Sequence, residues 1–459
     1  MLVGKARSAR WRGLPGRRRT AAVVAVALAL TAGSVASGAD GDTGPDRRPA
    51  AGALTAGVPL DRLAAGDLAQ GINGLQQHLK DQPRDATGWA TLGAAYVEQA
   101  RTGGDPTRYP QAEEAFARSL KLRPAAGNDA ALAGQAALAA ARHDFAAALR
   151  RADEALKVNP YSERALATRV DAFVELGRYD EALSAVRLAD RRRPGIPVFT
   201  RYAYVLELRG DVGGARKVLL RARGSASHAA DAAYVSTYLG QLAFGQGDFR
   251  DALTHFGAAL RADPTCVPAQ EGRGRAYAAL GDGVRAVRDL EAVVRRHPLP
   301  GQLAALGEQY EALGRRDRAA EQYALVRTWT RLARANGVAT DLESALIEAD
   351  HGDAAGALTA ARAEWDRRRT VHTADALAWA LHVNGKDKEA MVYAKRAAAL
   401  SPGYRNASFL FHRGMIERAL GDRAAARRDL TAALELNPAF SATGAREARA
   451  ALTGLREES

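Results

Sequence analysis

The sequence predicts an all-α protein, a solenoid of about nine to ten helix-turn-helix repeats, and three observations carry that prediction. A Gly followed five residues later by an Ala occurs at Gly177/Ala182, Gly210/Ala215, Gly247/Ala252, Gly281/Ala286, Gly314/Ala319, Gly352/Ala357, Gly385/Ala390 and Gly421/Ala426. The step averages about 35 residues, the length of one helical hairpin in a stacked array. Apolar residues make up 47% of the chain and aromatics only 6%, with Ala dominating, a composition for helices in close approach rather than for sheets. Most units also close on a short signal such as Asn159-Pro160, Asp263-Pro264 or Asn437-Pro438, where Pro ends a helix and holds the residue before it out of helical geometry. Because each unit of such an array packs only on its neighbours, the 459 residues read as one long domain.

Residues 1–39 are expected to be an export signal or signal anchor. Lys5, Arg7, Arg10, Arg12, Arg17, Arg18 and Arg19, with no acid among them, precede the apolar run 21–30 and a stretch of small residues ending in Ser37-Gly38-Ala39. Cleavage after Ala39 or Ala36 fits this pattern. The run is short and Ala-rich against the roughly 20 residues of a stable span, which favours a cleaved signal over an uncleaved anchor. Either way the flanking arginines hold the N-terminus inside and send the body out, so the protein is expected to be extracellular or on the outer face of the cytoplasmic membrane. Thr20-Ala21-Ala22 stands where a twin-arginine signal needs hydrophobic residues, and no Cys follows the run to take a lipid. The formal charge is +13, and 13 − 7 leaves +6 for the rest, so basicity is mostly a property of the leader and no nucleic-acid partner is expected. Richness in Ala, Arg and Gly suggests a GC-rich bacterial genome.

Residues 40–62, with Gly41, Gly44, Pro45, Pro49, Gly52, Gly57 and Pro59, read as a flexible linker. Leu68, Ile72, Leu75 and Leu79 keep helical spacing ahead of Pro83, so 63–83 is an N-terminal capping helix. Repeats occupy 84–440, and 441–459 is a C-terminal capping helix or tail, since a terminal unit needs a polar outer face. Within each unit the Gly ends the first helix in the left-handed cap conformation. The Ala five residues on faces the first helix, where a larger side chain would push the two axes apart. Three places depart from the pattern: extra residues near 101–108, His143 where Gly is expected, and no closing Asn-Pro after 299–330, where the helix is expected to run on through Trp329 and Leu332.

Trp89, Leu92-Gly93 and Tyr96 in the first unit, and Leu306-Gly307, Tyr310 and Gly314 in a later one, form a first-helix signature; Ala252, Phe256, Ala259 and Pro264 form a second-helix one. On these residues the chain resembles the tetratricopeptide repeat family, in its bacterial exported form. The resemblance implies a right-handed superhelix in which the first helix of each pair lines a concave groove and contacts a ligand through residues one turn apart. Carried onto this chain, that face offers Arg164, Asp171, Tyr204, Tyr234, Gln241, Glu271, Arg275 and Glu308, then His372, Asp375, Trp379, His382, Phe411, Met415 and Arg418. The second unit offers Ala130, Ala133, Ala137 and Ala140, a smooth wall. Trp379, Phe411, Met415 and Arg418 are of the side-chain types that dominate interface energies, which marks the C-terminal third for peptide docking. The competing expectation is that Trp379 and Phe411 turn inward and fill the core. The family's Lys and Asn set for peptide carboxylates has no match here, which argues against recognition of chaperone C-terminal tails.

No catalytic signature emerges: HExxH, G-x-S-x-G and a phosphate-binding Gly-Lys-Ser/Thr loop are all missing from the sequence. Gly272 and Gly274 begin a dinucleotide-type run, but Gly274 falls inside a first helix as a packing Gly. His351, His372, His382 and His412 lie in one third of the chain and read better as hydrogen-bonded or solvated side chains than as metal ligands. Arg191 to Arg193, Arg295-Arg296 and Arg367 to Arg369 fall at second-helix ends, where cations cap free carbonyls. Cys266, alone, forms no intramolecular disulfide. The expected function is a non-enzymatic exported scaffold, without cofactor or metal, holding protein or peptide segments in its groove, with a cell-envelope assembly as its setting and membrane contact only through an uncleaved anchor. The alternatives are an accessory subunit or enzyme acting on cell-envelope polymers, and a structural self-associating spacer.

Overall fold

A computed structural model describes residues 68–457; the leader and linker expected at 1–62 lie outside it. Among the described residues there are 22 helices and no strand. Helix α1 (Leu68–Asp81) precedes ten hairpins. Repeat 1 is α2 (Ala86–Gly103) and α3 (Tyr109–Leu122), and repeat 2 is α4 (Asp129–Ala141) and α5 (Phe145–Val158). Repeats 3 to 5 are α6 (Glu163–Glu175) with α7 (Tyr179–Arg192), α8 (Ile196–Leu208) with α9 (Val212–Gly224), and α10 (Ala229–Gly245) with α11 (Phe249–Ala262). Repeats 6 to 8 are α12 (Val267–Ala279) with α13 (Gly283–Arg296), α14 (Pro300–Ala312) with α15 (Arg316–Ala335), and α16 (Asp341–His351) with α17 (Ala354–Arg367). Repeats 9 and 10 are α18 (Val371–Val383) with α19 (Asp387–Leu400), and α20 (Ala407–Ala419) with α21 (Arg423–Leu436); α22 (Gly444–Glu457) follows. No helix among the described residues is long and apolar enough to cross a membrane.

The hairpin turn is built from two adjacent residues with different tasks. Gly ends the first helix at positive φ, +73° at Gly177 and +75° at Gly314, a conformation that costs a residue with a Cβ roughly 1–2 kcal/mol. In several repeats the next residue is Asp, as at Asp211, Asp248, Asp282 and Asp422, whose carboxylate accepts from a free backbone N–H of the second helix. All eight alanines of the Gly/Ala series are at most 3% exposed, so the two helices approach as closely as a methyl group allows. Two residues depart from the rule. His143 takes the left-handed conformation itself, φ 62°. Gly352 does not take it: its backbone is extended, φ −161°, and the Glu348 carboxylate accepts the Asp353 N–H at 3.1 Å in place of a glycine cap.

First helices of successive repeats pack on one another, α2 on α4, α4 on α6 and α16 on α18, whereas second helices pack mainly on first helices. The first helices therefore form the inner layer of the curve. Phe116 and Phe256 fill the steps between repeats: a Cβ on Gly93 or Gly134 would strike Phe116, and one on Gly240 or Gly272 would strike Phe256.

The curve is tight enough for the superhelix to touch itself. The Tyr179 hydroxyl accepts from Val371 N at 3.0 Å, the Ser401 hydroxyl donates to the Leu208 carbonyl, and Asn437 Nδ2 donates to the Phe244 carbonyl at 2.8 Å. These partners are 192, 193 and 193 residues apart, about 5.5 repeats of 35. Farther toward the N-terminus, His143 Nδ1 lies 2.7 Å from the Ala339 carbonyl, 196 residues away, and Ala339 N donates to the Arg142 carbonyl at 3.1 Å. Trp329 on the 20-residue α15 donates to the Gly104 carbonyl at 3.4 Å. These contacts set the turn inside an earlier hairpin against a later linker or, for Trp329, against helix α15, so repeats 1 to 5 lie under the following turn of the coil. Arg368 locks the middle of this seam, paired with Glu175 and Glu364 and placed over the Phe145 ring. From repeat 6 onward the seam is open: among the described residues nothing lies within 4 Å of a Cβ placed on Gly281, Gly314, Gly385 or Gly421.

Candidate binding lumen

Because successive turns of the coil touch, the concave face forms the wall of a lumen rather than an open groove. Its narrowness shows in the electrostatics. The Arg101 guanidinium of repeat 1 is half-buried, which opposes its charge, yet its pKa is raised by Glu98 and by Tyr234 and Tyr238 four repeats away. Glu311 of repeat 7 is likewise affected by Arg446 of α22.

The first-helix residues singled out from sequence divide into three groups. Some are neutralised within the wall. Asp171 is buried, its carboxylate taking a two-pronged ion pair from Arg201 at 2.8 and 2.9 Å. Glu271 pairs with Arg275 at 2.9 Å and accepts from Gln302 at 2.7 Å. His382 contacts Asp387 at 2.5 Å, and Tyr234 meets the Tyr238 hydroxyl at 3.3 Å.

A second group is core. Trp379 is 3% exposed; its Nε1 donates to Asp350 at 2.7 Å and its ring stacks on His412 at 4.3 Å. Phe411 is fully buried against Trp379 and Phe440, Met415 is buried beside them, and Asp375 is spent on His412 Nδ1 at 2.9 Å. The C-terminal aromatic patch expected to dock a peptide is therefore interior packing, because the first helices there approach so closely that a large flat side chain is sandwiched between them. Ala133 and Ala140 are buried too.

The third group faces the lumen without an internal partner. Among the described residues, Arg164, Tyr204, His372 and Glu308 have neither a side-chain hydrogen bond nor an ion pair, and the same holds for Glu207, one helical turn beyond Tyr204. Burial pushes the Arg164 guanidinium down against the pull of Glu98 and Glu163. It drives the Glu207 carboxyl up to about 7. Glu308 is only 7% exposed and rises to about 8, through burial that Arg275 opposes and Glu311 reinforces. His372, beside the Tyr404 and Phe409 rings, is held at about 4 by burial and by Arg368. None of these side chains is paired within the described residues, and with their shifted protonation equilibria they form the candidate binding set. Gln241 of repeat 5 and Arg418 of repeat 10 are exposed. Glu207 was missed from sequence although it keeps the one-turn spacing from Tyr204.

The remaining candidates settle into local roles. Among the described residues no three His, Cys, Asp or Glu side chains are placed to hold a metal ion; His351 instead stacks on Tyr323 and pairs with Glu311 at 3.3 Å. Arg192 and Arg296 donate to the Pro160 and Thr265 carbonyls of the preceding linkers. Cys266 is half-buried beside Thr237.

Family models described as tetratricopeptide repeat match residues 133–197, 239–299 and 407–440. No curated protein matches the chain. Among solved structures, a tetratricopeptide repeat protein from Parabacteroides merdae is 18% identical over 57% of this chain and 98% of its own, with a TM-score of 0.34. PilF of Pseudomonas aeruginosa is 17% identical over 48% and 93%, TM-score 0.35. The human IFIT1 dimer, solved with m7Gppp-AAAA, is 17% identical over 74% and 79%, TM-score 0.45.

Proposed function

Because the chain belongs to the tetratricopeptide repeat family, whose members are protein-interaction scaffolds, we propose that it is an exported, non-catalytic scaffold that holds an extended protein or peptide segment in its lumen. The observation that carries this reading is the set Arg164, Glu207, His372 and Glu308: first-helix polar groups, half-buried or buried, whose side chains have no hydrogen-bond or ion-pair partner within the described residues. A threaded segment supplies their missing counter-groups from its own backbone and side chains. The basic residues and short apolar run of residues 1–39 support the exported part of this reading, and a cell-envelope assembly is the setting we propose for it.

The test is site-specific photocrosslinking in the native cell. A photoreactive residue at Gln241, exposed at a lumen position, is expected to capture a discrete partner. One at Val392, exposed on second helix α19, is expected to capture none. Equal capture from both positions refutes lumen binding.

A further inference from the structure

The seam covers the hairpin turns of repeats 1 to 5 and leaves those of repeats 6 to 10 bare, although both sets are built alike. In the covered set, Leu299 lies over Gly104, the Arg369 carbonyl over Gly177, Gly403 over Gly210 and Leu436 to Pro438 over Gly247. In the bare set the same rim exposes large apolar side chains. Leu280 and Leu313 are 44% and 43% exposed, Leu420 is 40% exposed, and Val284, at 84%, is the most exposed large apolar side chain among the described residues. Leu313 reaches back onto Gly283, so Leu280, Val284 and Leu313 form one apolar strip across repeats 6 and 7. Between repeats 9 and 10 the rim opens into a recess of about 440 Å³ lined by residues 385–389 and Leu420, at the level where Gly210 and Gly247 receive their overlying linkers. At the other end of the coil the linkers before repeats 1 to 5, residues 82–85, 123–128, 159–162, 193–195 and 225–228, take part in none of the seam contacts among the described residues, and Tyr161 there is 62% exposed.

We propose that the bare rim of repeats 6 to 10 docks the bare linkers of a second copy of this chain, so that copies stack head to tail along the superhelix axis. The contact continues between molecules the interface already formed within one, turn under linker. It is heterologous, and such an interface propagates rather than closing at a dimer. The terminal helices do not join sideways: α22 exposes Arg449 and Arg456, and α1 exposes Gln70, Asn73, Gln77 and Lys80. Stacking is therefore axial, through the rims. It does not depend on what the lumen holds.

The experiment uses the full chain, two variants and their mixture. One carries Leu280→Asp and Leu313→Asp on the rim; the other carries Ala126→Asp and Tyr161→Asp on the linkers. All four positions are exposed, so circular dichroism should show unchanged helix content and melting. By sedimentation equilibrium the wild type should rise with concentration to at least twice the 48.6 kDa of one chain. Each variant alone should stay at one chain mass, and a one-to-one mixture should form dimers, because each supplies the face the other lacks. A wild type that stays monomeric overturns the proposal. So does association of the linker variant by itself, which would mean a symmetric rim-to-rim dimer.

Discussion

Gly177 and Gly314 share a conformation and differ in what lies above them, so the same substitution separates backbone strain from seam contact. Each sits at positive φ, +73° and +75°, and Ala at either costs roughly 1–2 kcal/mol for the left-handed backbone. At Gly314 nothing lies within 4 Å of the added methyl, and the cost ends there. At Gly177 the methyl would land on the Arg369 carbonyl, with Thr370 Cα at 3.3 Å. Both are backbone atoms that cannot rotate away, and overpacking of this kind adds about 1–3 kcal/mol. Gly177→Ala should therefore destabilise by about 2–5 kcal/mol and Gly314→Ala by about 1–2. Urea denaturation measures both. The larger loss should be accompanied by faster amide exchange at Val371, whose N–H is held by Tyr179 across the seam. Equal losses for the two variants, with exchange at Val371 unchanged, would falsify the closed coil and leave an open groove.

Trp379→Ala should cost about 3–5 kcal/mol, as for truncation of a buried aromatic, and shift the melting transition; loss of partner capture at unchanged stability would return Trp379 to the binding surface. Arg164→Ala should leave the melting temperature unchanged, since the half-buried guanidinium has no ion-pair or hydrogen-bond partner within the described residues, while weakening capture at a Gln241 photocrosslinker about tenfold or more. Glu308 binds its proton more tightly when folded, about 8 against 4.5, so its contribution is complete below pH 4.5 and is lost as the pH rises toward 8. The stability difference between wild type and Glu308→Gln should accordingly move by a few kcal/mol in favour of the variant over that interval; a pH-independent difference would mean an ionised, solvated Glu308.

The repeat was legible because its determinants are local. Gly177, Ala182 and Asn159-Pro160 act within a single hairpin or its linker, through backbone conformation, methyl-sized clearance and the missing proline N–H, and a period of about 35 residues displays each of them many times. The long α15 was legible for the same reason: no Asn-Pro stops it. Periodicity also assigned Trp379 and Phe411 correctly to the inner side of their helices, yet a helix face is an angle and says nothing of the radius at which neighbouring helices meet. That radius is set by contacts about 193 residues apart, between Tyr179 and Val371, Leu208 and Ser401, Phe244 and Asn437, each pair made of residues that look ordinary where they stand. Where the coil is tight, an inward aromatic becomes filling between first helices, and long charged or polar side chains such as Arg164 and Glu207 still reach the open space. On the reading proposed above, the same geometry moves the binding face from the C-terminal aromatics to the polar groups of repeats 3, 4, 7 and 9. Aromatic anchors suit a shallow open groove, whereas a closed lumen leaves to its ligand the polar groups that its own packing could not pair.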